Sequence, residues 1–257
     1  MNLWEQLKEH TQARIGLHRI GHSLSTEDLL DFQIAHALAR DAVQETWNVA
    51  DFEKKMKALG EKPIRVETAI SIREQYLKFP TLGRVLTTSS RDKLIKYSKR
   101  HQVDIVFIIT DGLSVPAINM HAIPFWKTLK PLLQSSFEKL KIALVLAPYG
   151  RVALSDGVGK ALGAKLSVIL VGERPGLSSI NSLGIYLTYN PKPGNSDANR
   201  NCISNVHPPE GLSYAIAAEK LMFLITESLR LKLSGTQLKE EACHLIAETR
   251  LRRGLGM

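Results

Sequence analysis

Two apolar runs constrain this chain more than any other feature. Ile-Ala-Leu-Val-Leu-Ala-Pro-Tyr-Gly-Arg-Val begins at Ile142, and Leu-Ser-Val-Ile-Leu-Val-Gly-Glu-Arg-Pro-Gly begins at Leu166; each ends in a glycine turn. Both are short and carry branched aliphatic residues at consecutive positions, as a strand covered on both faces of a parallel sheet requires. Between them residues 155–163 read as a helix, opened by Ser155 or Asp156 as N-cap and stopped by Gly163. This is one βαβ unit with neither strand at an edge. Such sheets bind ligands in the crevice beyond the C-terminal ends of the strands, which here means residues 149–152 and 172–176.

The neighbouring segments extend the pattern. Val-Asp-Ile-Val-Phe-Ile-Ile-Thr-Asp-Gly over 103–112 is a strand of the same kind, and Asp111 at its end is either a ligand contact or, the commoner use of Asp there, the N-cap of a helix from Leu113. A crossover helix between Pro124 and Leu140 then leads to the strand at Ile142, which makes three parallel strands. Residues 184–189 and 201–206 are two further candidate strands, separated by a turn-rich stretch. A long helix over 213–233 follows, with Ala217, Leu221, Leu224 and Ile225 on one face and Gly235 just past its end, and a last, basic helix is expected over 237–253.

The first hundred residues are mainly helical. Leu3, Trp4 and Leu7 mark a short amphipathic helix, and a glycine-spaced loop follows over 15–21. Ser25-Thr-Glu-Asp28 resembles a capping box opening a helix to about Trp47. On that helix Leu30, Ile34, Ala37 and Leu38 recur at helical spacing opposite a polar stripe of Gln33, His36 and Arg40, which is either solvated or faces a second chain. Further helices are expected over 52–60, 67–78 and 92–101. The fold class is therefore α/β: an N-terminal mainly helical region over 1–100, then a Rossmann-like parallel-sheet domain over 101–257 that includes the C-terminal helices.

Composition narrows the function. With 257 residues and 44% hydrophobic content the chain has enough apolar surface for a real core. No stretch approaches the ~20 apolar residues of a membrane span, and Glu5, Lys8, Glu9 and Arg14 replace the apolar core of a signal peptide. Two cysteines, Cys202 and Cys243, are too few for a disulfide framework or a cysteine-built metal site, so a reducing compartment fits. The net charge of +9 is spread over separated clusters with no aromatic interleaving and no nucleic-acid-binding motif, so nucleic acid is not the expected partner. Gly157, Gly159 and Gly163 are one residue too widely spaced for the dinucleotide fingerprint and fall inside a helix. There is no phosphate loop, no G-x-S-x-G elbow and no H-E-x-x-H. His18 and His22 share a loop without a carboxylate, a weak basis for a metal site.

What remains is specific. Gly150-Arg-Val-Ala-Leu, Val171-Gly-Glu-Arg-Pro-Gly-Leu-Ser-Ser179, Ser182-Leu-Gly-Ile-Tyr-Leu-Thr-Tyr189 and Asn201-Cys-Ile-Ser-Asn205, in that order, closely resemble the small (light) chain of ethanolamine ammonia-lyase. Ala13-Arg-Ile-Gly-Leu, Leu30-Asp-Phe-Gln-Ile-Ala-His-Ala-Leu-Ala-Arg-Asp41, Tyr76-Leu-Lys-Phe-Pro-Thr-Leu-Gly-Arg84 and Ile109-Thr-Asp-Gly-Leu-Ser114 are similar to family motifs too, so the resemblance spans residues 11–235. It implies one half of a cytoplasmic enzyme that uses adenosylcobalamin to convert ethanolamine to acetaldehyde and ammonia. In that family the large subunit holds the substrate and the radical chemistry, and cobalamin lies between large and small chains of a hetero-oligomer. Longer members carry an N-terminal extension linked to low solubility and encapsulation in a bacterial microcompartment, whereas here the family-like region starts almost at once.

Carried over residue by residue, the family's cofactor contacts fall on Val152, Glu173 and Cys202. Each also has a plain reading: Val152 as a space-filler after a turn, Glu173 as the ion-pair partner of Arg151 or Arg174, and Cys202 as a buried thiol. Arg151 and Arg174 are candidates for the cobalamin phosphodiester. The chain lacks the Asp-x-His-x-x-Gly motif by which other cobalamin proteins replace the lower base with histidine, so base-on binding is expected. The alternative is a stand-alone Rossmann-like nucleotide-binding module, which would bind its ligand without a partner.

Overall fold

The computed structural model describes residues 3–11 and 13–238. A short helix α1 (Leu3–Lys8) leads through a two-residue hairpin, β1 (Arg19–Ile20) and β2 (Ser23–Leu24), into α2 (Thr26–Gln44). Ser25 caps α2 as expected, its hydroxyl accepting from the Asp28 N–H. The box is not closed in the usual way, because the Asp28 carboxylate accepts from the His18 N–H and the Ser25 hydroxyl instead. Helix α3 (Val49–Ala58) comes next, then β3 (Ile64–Arg65), α4 (Arg73–Lys78) and α5 (Thr88–Ser98).

The helix expected over 67–78 is thus confined to its last six residues. The preceding stretch is extended: Ile64–Arg65 pairs in parallel with Val145 and Leu146, and Thr68 bridges Leu86. Backbone hydrogen bonds between residues 67–69 and 85–87 outweigh helical spacing there. Helix α5 begins earlier than the expected residue 92, because the Thr87 hydroxyl accepts from the Ser90 N–H and so caps the chain there.

The main sheet follows the apolar runs. Strands β4 (Ile105–Thr110), β5 (Ile142–Leu146) and β6 (Leu166–Gly172) are parallel, and the antiparallel β7 (Leu183–Tyr189) and β8 (Arg200–Val206) extend it to the order β3-β5-β4-β6-β7-β8. The α/β class is as expected, with neither β5 nor β6 at an edge, but the sheet is mixed. Helix α6 (Val115–Ala117) runs on through a π-helical turn, Ile118–Ala122, into α7 (Ile123–Ser136); α8 (Leu154–Leu162) connects β5 to β6; and α9 (Tyr214–Leu231) follows β8.

One face of the sheet packs Phe107, Leu144, Leu170, Leu187 and Ile203 against α7 and α9, through Phe125, Leu129, Ala217, Leu221 and Leu224. The other packs Val106, Ile108, Val145 and Ile169 against α5 and α8, through Leu94, Leu154 and Val158. Burial on both faces explains why these strands are apolar at consecutive positions.

Several expected helix ends move. Neither Ser155 nor Asp156 caps α8: both lie in its first turn, where the Ser155 hydroxyl donates to the Val152 carbonyl and Asp156 pairs with the buried Arg200. Gly163 does end that helix in the left-handed conformation, φ 66°. Helix α9 ends at Lys232, itself left-handed, and not at Gly235. Of the helix expected over 237–253, everything from residue 239 lies outside the described residues. No helix among the described residues is long and apolar enough to cross a membrane.

Candidate functional site: a cleft at the C-terminal edge of the sheet

The strand ends β4, β5 and β6 converge on a cleft of about 430 Å³ lined by Tyr76, Gly112, Leu113, Arg151, Val152, Val171, Gly172, Glu173, Arg174 and Tyr186. Leu113, Arg151 and Arg174 also line an adjoining depression of about 560 Å³, closed on its far side by His36, Ala39, Arg40 and Val43 of α2. The polar stripe of α2 therefore borders the cleft, while Leu30, Ile34 and Leu38 are exposed.

Glycine makes the floor possible. A Cβ on Gly172 would stand 2.1 Å from the Ser114 carbonyl oxygen, and one on Gly112, φ 56°, would stand 2.3 Å from the Gly172 oxygen. The backbones at the ends of β4 and β6 touch because neither residue carries a side chain.

Asp111 is not the helix cap that its position suggested; Ser114 caps α6 by accepting from the Ala117 N–H. The Asp111 carboxylate is fully buried, 2.8 Å from Arg73 Nη1, and accepts from the Tyr149 N–H at 2.6 Å. Arg73 also donates to the carbonyls of Val43 and Gly112. This pair ties α4, α2 and the ends of β4 and β5 together beneath the cleft. Burial drives the Asp111 carboxyl up to about 6, with Arg73 pulling the other way.

Above it, the guanidinium groups of Arg73 and Arg151 lie over the Tyr76 ring, 4.9 and 4.1 Å from its centroid. Burial, and then the positive charges of Arg73, Arg84 and Arg174, hold Arg151 below the usual guanidinium value. Its Nε is buried without a hydrogen-bond partner. An arginine with like charges around it and an unmet donor is suited to an anionic group.

Val152 lines the cleft directly, half-buried in the turn after β5. Glu173 sits at the end of β6, and its carboxylate is not paired with Arg151 or Arg174. It accepts instead from the hydroxyls of Ser182 and Ser204, each at 2.5 Å, and from the Asn205 N–H at 3.3 Å. Gly184 makes room for it, since a Cβ there would be 2.9 Å from Oε1.

Cys202 is exposed and in no disulfide, and so is not the buried thiol of the plain reading. It does not line the cleft but lies directly across from Tyr186 in the β7–β8 pairing and is hydrogen-bonded with it. Burial and these neighbours raise the Tyr186 phenol well above its ordinary value, so it stays neutral and able to donate. The structure thus brings Val152 and Glu173 to one cleft and places Cys202 one residue outside it. Sequence reasoning missed Tyr186, Tyr76, Ser182 and Ser204. All four lie inside the family-like segments 76–84, 182–189 and 201–205, which is the signal that could have found them.

Fold and cleft together define a class: an α/β chain with an arginine-lined cleft at the C-terminal edge of its sheet, bordered by an exposed strand face. The comparisons are more specific. Residues 1–239 match the family described as Ethanolamine ammonia-lyase light chain (EutC). The chain is 46% identical over 243 residues to the ethanolamine ammonia-lyase small subunit of Pseudomonas fluorescens (strain Pf0-1), covering 94% of this chain and 88% of that one. It is also 46% identical over 244 residues to the small subunit of Pseudomonas syringae pv. tomato, covering 94% and 84%, and 45% identical over 244 residues to that of Pseudomonas putida (strain W619), covering 94% and 89%. The chain belongs to the ethanolamine ammonia-lyase small-subunit family.

Proposed function

We propose that this chain is the small subunit of an adenosylcobalamin-dependent ethanolamine ammonia-lyase, and that it binds cobalamin in the cleft described above, at its interface with a large subunit. The observation that carries this reading is convergence: Val152, Glu173 and the Cys202–Tyr186 pair are separated by up to 50 residues of chain, yet meet at one edge of the sheet.

The donor set fits the group. Val152 and Leu113 offer apolar surface to a large planar ring system. Glu173 has one lone-pair position beyond its three donors, enough to accept from an amide or ribose hydroxyl. The unmet Arg151 Nε and the neighbouring Arg174 suit a phosphodiester. When bound, adenosylcobalamin supplies the radical that starts the conversion of ethanolamine to acetaldehyde and ammonia. This chain's residues bind and orient: Glu173 fixes a polar edge, the arginines meet the anion, and the Tyr186–Cys202 face supports the remainder. Substrate and radical steps belong to the large subunit. No Asp-x-His-x-x-Gly segment occurs in the chain that would supply a histidine in place of the cofactor's lower base.

The test is ethanolamine deamination with adenosylcobalamin by this chain alone, by a cognate large chain alone, and by the two co-purified. Activity confined to the pair, with a stable complex, supports the reading. Ligand binding by this chain alone, with no complex formed, would instead favour a stand-alone nucleotide-binding module.

A further inference from the structure

Beside the cleft lies a buried polar cluster with no role in the reading above. His207 follows β8 and is 5% exposed. Its Nε2 is 2.7 Å from Asn205 Oδ1; a carboxamide oxygen only accepts, so Nε2 carries the proton. Asn205 is itself left-handed, φ 64°, a conformation that asparagine adopts more readily than other non-glycine residues and that local contacts hold here.

The enforcing contacts are visible. The Leu212 N–H donates to the Asn205 carbonyl at 2.7 Å, and the Gly211 N–H to the His207 carbonyl at 3.0 Å. A Cβ on Gly211 would stand 2.4 Å from the Asn205 oxygen and 2.6 Å from His207 Cδ2, so the imidazole lies against bare backbone. Behind it His121, on the π-helical turn, is 3% exposed and hydrogen-bonded at 2.8 Å with the Tyr214 hydroxyl. The outward end of this arrangement is the Asn205 N–H, which donates to Glu173 Oε2.

We infer that Asn205 and His207 are positioning residues for the Glu173 carboxylate: the imidazole holds the Asn205 side chain, and the left-handed Asn205 backbone turns its N–H onto the carboxylate. This rests on the proposed role of Glu173 in meeting the cofactor. His207 touches no ligand; it acts two bonds removed, through Asn205. The two serine hydroxyls take one oxygen each, Ser204 on Oε1 and Ser182 on Oε2, but both are rotors on side chains; the Asn205 N–H adds a donor to Oε2 whose direction is set by the backbone.

The experiment uses the co-purified complex with its large chain, optical titration with adenosylcobalamin, and steady-state kinetics. Variants are His207→Met, which loses the donor, His207→Gln, which keeps one, and Asn205→Gly, which loses the acceptor but suits the positive φ. His207→Met and Asn205→Gly should each weaken cofactor binding about tenfold, with kcat at saturating cofactor within about twofold of wild type. His207→Gln should stay close to wild type, and His207→Met should add nothing to Glu173→Gln. Unchanged affinity in both Asn205→Gly and His207→Met overturns the inference, as does equal loss in His207→Gln or full additivity with Glu173→Gln. A wild-type complex that takes up no cobalamin removes the proposed function as well. Uptake that is insensitive to Glu173→Gln leaves cobalamin binding standing and removes the positioning role alone.

Discussion

Replacing Arg73 by methionine should unlock α4 from the sheet, in a pH-dependent way. The side chains of Arg73 and Asp111 are 5% and 0% exposed, and Arg73 satisfies one carboxylate and two carbonyls. Removing one partner of a buried pair costs about 3–5 kcal/mol, because the other charge is left uncompensated. For a chain of this size that is a fall in Tm of roughly 6–20 °C. The sign of the pH effect follows from Asp111. Its folded value, about 6, lies above the ordinary 3.8, so its contribution is fully present below the unfolded value and is lost as pH rises through the folded one. Without Arg73 the folded value climbs further, so the deficit relative to wild type should be larger at pH 8 than at pH 5. The double variant R73M/D111L should recover most of the loss at pH 8, since an apolar pair of similar volume replaces a buried ionic one at little cost. Calorimetry of the purified chain at both pH values is the assay. A deficit that is the same at pH 5 and pH 8, or no recovery in the double variant, would refute the argument.

Other expectations concern the cleft and the sheet edge. Gly184→Ala sets a Cβ 2.9 Å from Glu173 Oε1 and 3.2 Å from the Tyr186 ring; titration should show cobalamin affinity lowered by about tenfold or more with a modest change in Tm, the crowding falling on the site. Arg151→Gln combined with Arg174→Gln should weaken cofactor binding and reduce its dependence on ionic strength, and an unchanged affinity would remove the arginines from the phosphate role. Arg200→Leu strands the buried Asp156, which now takes two hydrogen bonds at 2.9 and 2.7 Å from the guanidinium. Urea denaturation should show a loss of about 3–5 kcal/mol, while residual activity at low temperature persists, because this pair lies outside the cleft.

The parts that could be read from the sequence are those whose cause is local. Strands β4, β5 and β6 are apolar at consecutive positions because both faces are covered, and that pattern is visible without knowing what covers them. Caps at Ser25, Thr87 and Ser213 depend on one side chain meeting an N–H three residues on. The starts of α2 at Ser25 and of α9 near Ser213 agree with the sequence pattern, whereas α5 starts ahead of the expected Asp92. Long motifs likewise placed the chain in its family and nominated Val152, Glu173 and Cys202.

What the tertiary structure decided are the properties that depend on distant partners. Asp111 looks like a helix cap in sequence and proves to be half of a buried ion pair, because Arg73, 38 residues earlier, lies over it. The stretch before α4 has helical spacing yet is extended, because residues 67–69 share backbone hydrogen bonds with residues 85–87. Glu173 has an adjacent arginine; instead Ser204, 31 residues on, reaches it, because β8 runs back along β7 and ends level with the C-terminal end of β6. Spacing along a chain records which faces are buried, since burial acts on every residue by itself. It does not record which two side chains share a lone pair, since that is set by sheet order and register, which exist only once all the strands have assembled.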